Sequence, residues 1–143
     1  MCYRIKIEKD KKLARITAYG SINIIELKEI FFETIRHEEW QAGFNMLCDY
    51  RKIQKFAITP QDIDDIIEWQ TSIDTLIGNG RCAVVAPGDY VFGMSRMWEM
   101  LSADRSQQIK VFRQIKDAVL WLSHPEGTIE IKEALFSDVF LSP

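Results

Sequence analysis

Two histidines and three cysteines are all the imidazole and thiol that 143 residues offer for metal binding or nucleophilic chemistry. His37 and His124 are far apart, and neither belongs to an HExxH, an HxH or a Cys/His cluster, so the spacing of a zinc site is missing. Cys2, Cys48 and Cys82 are odd in number and include no CxxC pair. With an N-terminus, MCYRIKIEKDKK, that alternates apolar and charged residues instead of forming a leader, they point to free thiols in a reducing cytoplasm. Cys48 and Cys82 sit in the apolar runs Met46-Leu47-Cys48 and Cys82-Ala83-Val84-Val85, where a small buried hydrophobe is expected. No GxSxG, GxxxxGK[ST] or GxGxxG occurs, and Gly78-Asn79-Gly80 reads as a turn before a strand. These residues suggest no enzyme, no cofactor and no metal.

Binding chemistry has better candidates. Asp49 and Arg51 follow an apolar run where a parallel strand should emerge, the edge at which open α/β sheets take ligands. Asp89 and Arg96 belong to the next strand-to-helix crossover, and Met94 and Trp98 stand on the same helix. These six residues are expected to meet at the carboxyl ends of the central strands, between a loop over 49–56 and the helix start over 89–98. Arg51, Lys52 and Lys55 make that loop basic and solvated. Methionine and tryptophan on one helix pack a core by default, but such soft side chains also line adaptable binding surfaces. Gly93 within that helix costs about 1 kcal/mol relative to alanine, so close backbone packing should compensate.

The elements that must position these residues follow from periodicity. Residues 3–8 and 13–19 alternate with period two around Lys9-Asp10-Lys11-Lys12, which predicts a hairpin ended by Gly20. Asn23 with Glu26 forms a capping box for a helix whose apolar face is Leu27, Ile30, Phe31 and Ile35, with His37 near its end. Residues 44–49 read as a buried strand. Thr59-Pro60-Gln61-Asp62 starts a second helix, with Ile63, Ile66, Ile67, Ile73 and Ile77 on its core face. A strand over 81–86 leads through Pro87-Gly88 to a helix capped by Asp89, with Met94, Met97, Trp98 and Leu101 on one face. A strand over 108–112 and a helix over 116–122 complete an α/β order with one mixed sheet, later strands parallel.

Composition agrees with a single globular domain: 47% hydrophobic, 27% charged, with no linker, repeat or low-complexity tract. The net charge of -3 gives no whole-protein attraction to nucleic acid, and no composition-based support for membrane contact. No apolar run approaches the ~20 residues of a membrane span.

The order of elements resembles the STAS superfamily, and within it the small stand-alone bacterial SpoIIAA-like branch. The residues that carry the resemblance are Asp49-Tyr50-Arg51 ending its strand, Phe92-Gly93-Met94-Ser95-Arg96 in the following crossover, and the closing strand and helix from Val111 to Leu122. It covers roughly residues 1–123, the STAS-like α/β domain, and leaves 124–143 as a C-terminal extension. Anti-sigma-factor antagonists of that kind carry a phosphoacceptor serine after the central strand; here 49–56 holds no Ser or Thr, and Thr59 reads as a helix cap. The resemblance therefore implies the fold and a regulatory or protein-interaction role without the usual phosphoserine switch. The branch has also been compared with the lipid-binding CRAL-TRIO fold, which implies a small apolar or lipid-like ligand as the alternative. In the extension, Ile131, Leu135 and Val139 recur every four residues, so a packed helix and a homodimer formed through it are expected, with an intramolecular helix covering one face of the sheet as the alternative.

Overall fold

The computed structural model describes residues 2–123. The extension, His124 and the dimer expected through the tail lie outside the described residues. Among these, five strands form one sheet in the order β1–β2–β3–β4–β5. β1 (Tyr3–Glu8) and β2 (Leu13–Asn23) are the antiparallel hairpin, joined by a 3-10 turn at Lys9–Lys11. β3 (Asn45–Ala57), β4 (Arg81–Val85) and β5 (Gln108–Phe112) add in parallel. The mixed α/β sheet read from periodicity is the one the chain forms.

Each parallel step moves one place in the same direction across the sheet. Right-handed crossovers then put every connecting helix on one face. α1 (Ile24–Ile35), α2 (Pro60–Ser72), the short α3 (Asp74–Ile77) and α4 (Asp89–Leu101) bury that face around Ile16, Ile30, Met46, Ile66 and Val84. α5 (Ile115–Ser123) follows the last strand and lies on the other face, where Ala118 and Trp121 cover Leu47, Ala83 and Val85. Strand alternation sorts the side chains: Cys48 and Cys82 face the three long helices, while Leu47 and Ala83 face α5.

Both capping boxes form. Asn23 Oδ1 accepts from the Glu26 amide at 2.9 Å, and Thr59 Oγ1 from the Asp62 amide at 3.1 Å, with Pro60 first in α2. Asp89 is different. Gly88, extended at φ -75° and ψ 145°, takes the N-cap position, so Asp89 is already helical and cannot cap.

The expected loop over 49–56 is strand. β3 runs eight residues past Asp49, its last partner on β4, and β2 accompanies it to Asn23 instead of stopping at Gly20. Two register shifts put extra residues into β3, and Gly20, at φ 70°, sits at one of them in left-handed backbone that favours glycine. The bulges hide the period of two, because Tyr50, Ile53 and Phe56 recur every third residue. Two expectations for α4 also change. Leu101 is 49% exposed while Ser95 and Trp98 are buried, and a Cβ on Gly93 would meet nothing within 4 Å. No close packing offsets Gly93.

Candidate functional site

The six candidate residues occupy three places. Asp49 lies near the point where β4 ends and β3 continues alone, opposite Val85. Arg51 follows two residues on, at the first bulge of β3, and the two make a local clamp: Arg51 Nε to Asp49 Oδ1 at 2.9 Å, Nη2 to Oδ2 at 2.8 Å. The Arg51 amide adds a third bond at 3.1 Å. Burial pushes the Asp49 pKa up, but the bonds and charge of Arg51 outweigh it and hold the carboxyl below its ordinary value. A carboxylate held this way is a weak general base and a fixed anchor.

Asp89 stands just past the carboxyl end of β4, as the first residue of α4, and its partner is Arg113. Because Val85 pairs with Phe112, the residue after β5 comes level with the turn that opens α4. Arg113 Nη1 donates to Asp89 Oδ1 at 2.7 Å and to the Pro87 carbonyl at 2.9 Å, and its guanidinium stacks 4.0 Å from the Phe92 ring centre. Tyr90 beside it is 53% exposed, with its hydroxyl donating to the Ile58 carbonyl. Arg113, Phe92 and Tyr90 are site residues the sequence reading passed over. Their signal was the in-register parallel pairing of β4 and β5.

Arg96 is apart from both pairs. It faces outward on α4 and bonds Glu99 Oε2 at 2.7 Å, one turn on, while Glu99 Oε1 accepts from the Val111 amide. Met94 and Trp98 lie beneath the helices, not at the edge. Trp98 packs 5.7 Å from Phe31 and donates its indole N–H to Gln70 Oε1 at 2.8 Å. Gln70 also accepts from Arg105, a buried guanidinium whose pKa burial pushes down. Between Leu27, Phe31, Tyr50, Phe56, Met94 and Trp98 remains a cavity of about 20 Å³.

Thiol chemistry is muted. Cys48 and Cys82 Sγ atoms stand 3.8 Å apart within the core, and the bond to Cys82 together with burial pushes the Cys48 thiol well up. Among the described residues no three His, Cys, Asp or Glu side chains gather as a metal site requires, and no helix is long and apolar enough to cross a membrane.

No protein-family profile and no curated protein matches the chain. Among solved structures it is similar to the crystal structure of an uncharacterised DUF3478-family protein with a SpoIIAA-like fold from Shewanella loihica PV-4. The TM-score is 0.55 at 15% identity, over 84% of this chain and 93% of that one. The fold is SpoIIAA-like. At that identity the likeness speaks for architecture alone. Within the SpoIIAA-like sheet, the stretch without Ser or Thr after Asp49 is the bulged half of β3.

Proposed function

We propose that the protein is a non-catalytic interaction module that recognises a protein partner with the surface where β4 and β5 end and β3 runs on past them. The two fixed charge pairs at this surface are the observation that carries this reading, and the space between α1, α2, α4 and the sheet is too small for a ligand. A cavity of about 20 Å³ has room for about one water-sized sphere. Pockets for small molecules run to about 300–1,000 Å³. Housing an apolar or lipid-like ligand between these helices would require α4 to separate from α1 and α2, breaking the Phe31–Trp98 contact and the Trp98–Gln70 bond. The edge, in contrast, presents two pre-fixed charge pairs, Asp49–Arg51 and Asp89–Arg113, with exposed Tyr90 between helix and strand. Fixed charges around an aromatic suit recognition with little ordering cost.

A photo-crosslinking residue at exposed Gln114, introduced in the cells that make the protein, is expected to capture a discrete protein adduct. One at exposed Met100, in the last turn of α4, is not. Arg51→Ala combined with Arg113→Ala should remove the adduct. Equal labelling from both positions, or an adduct indifferent to the arginines, contradicts the reading.

A further inference from the structure

β3 outlasts its neighbour. β4 pairs with it only from Met46 to Asp49, whereas β2 stays beside it to Ala57. After Val85 the chain of β4 turns toward β5: the Ala86 amide donates to the Phe112 carbonyl, and Arg113 reaches the Pro87 carbonyl. Among the described residues, the eight residues of β3 after Asp49 therefore have a strand on the β2 side alone. That stretch extends about 26 Å, whereas a common strand runs to about 17–20 Å. The helices bury Tyr50 and Phe56, but Lys52, Gln54, Lys55 and Ala57 are exposed. The Asp49–Arg51 clamp stands at its near end, and Tyr90, bonded to the Ile58 carbonyl, at its far end. A strand edge of this kind offers main-chain N–H and C=O groups that another strand can complete.

Charge selects what can complete it. Asp49 answers Arg51, but among the described residues neither Lys52 nor Lys55 is in an ion pair. The charge of Lys52 also favours ionised Asp49, yet the stretch as a whole stays positive on a chain of net charge -3. A second copy of β3 would set lysines against lysines across the new ladder, and like charges placed opposite are destabilising. The bulges at 50–51 and 54 further break up a long flat edge. Devices that oppose self-pairing in this way leave a strand of opposite charge as the occupant that fits.

We propose that the partner adds an acidic, extended segment to β3 beside residues 52–57, continuing the sheet where β4 leaves off. The inference rests on the reading of the charged edge as a protein-recognition surface, and it names the chemistry that the surface takes. Main-chain bonds supply the contact, Lys52 and Lys55 select the sign, and the bulge at Gln54 keeps the added ladder short.

A peptide of about ten residues, alternating glutamate and threonine, titrated into the isotope-labelled full chain tests this by amide NMR. Amide signals of 52–57 are expected to shift and their exchange to slow, while those of β1 stay as in the free chain. Raising the salt from about 50 mM to about 300 mM should weaken binding several-fold. Lys52→Glu combined with Lys55→Glu, both at exposed positions, should weaken it about tenfold or more. The same peptide with lysine in place of glutamate should leave the signals unmoved. No binding of the acidic peptide at millimolar concentration, shifts confined to other elements, or equal binding of the lysine peptide overturns the proposal. An arginine-dependent adduct at Gln114 whose partner leaves 52–57 exchanging as in the free chain overturns strand addition alone. Absence of any adduct there removes the recognition reading and this proposal with it.

Discussion

Asp49 releases its proton more readily in the folded chain than in the unfolded one, because Arg51 grips both of its oxygens. Its contribution to stability is therefore complete above the unfolded carboxylate pKa of about 3.9, and drains as the pH falls through the lower folded value. Urea unfolding near pH 7 and near pH 3 should show a loss on acidification that is smaller in Asp49→Asn. An identical loss in the variant assigns the acid sensitivity to Glu8 and Glu26, whose pKa values are lowered by bonds from Arg15 and Cys2. Gly93 makes the opposite kind of residue-scale case. With open space around its Cβ position, Gly93→Ala should raise stability by about 1 kcal/mol, seen in the thermal midpoint. A fall would mean that something does pack there. Asp49 with Arg51 was legible in the sequence because the two are neighbours on one strand. Arg113 was not, since its partners Pro87 and Asp89 are brought to it only by the register of β4 with β5.

Elements were readable where their signals are local. Asn23 with Glu26, and Thr59 with Asp62, sit three residues apart and cap their helices as spaced. Thr59→Ala should cost about 1 kcal/mol in denaturant unfolding; a neutral result would remove the cap as the reason for that hydroxyl. The far half of β3 was unreadable because each bulge shifts which residue faces the core, and three-residue recurrence resembles no regular strand. Helix contacts distant in sequence were hidden too. Trp98 belonged to a recognisable apolar stripe, yet its bond to Gln70 spans 28 residues and joins α4 to α2. Gln70→Leu keeps the volume and leaves the Trp98 indole N–H and one Arg105 N–H buried without that acceptor. It should cost about 2–4 kcal/mol. A cost below that of the Thr59 cap would show the network to be slack.

At the scale of the whole molecule, one directional strand order sets what each end of the sheet can do. It places α1, α2 and α4 together over one side of the sheet, where the space they enclose around Trp98 is about 20 Å³, and among the described residues α5 is the one helix on the far side. The charged edge then lies where β4 and β5 end beside Asp49 and Arg51 of β3, and among the described residues a groove lies at the other end beside Ser123. The central claim is the proposed recognition of a protein partner, in place of a small ligand, at the charged edge. Native mass spectrometry of the full chain, isolated gently from the cells that make it, tests that claim most directly. The expected spectrum is a complex with a second kind of polypeptide, lost in the Arg51→Ala/Arg113→Ala variant and kept when Met100 is replaced by alanine. A chain carrying a bound small apolar molecule and no partner, or a complex that survives loss of both arginines, would contradict it.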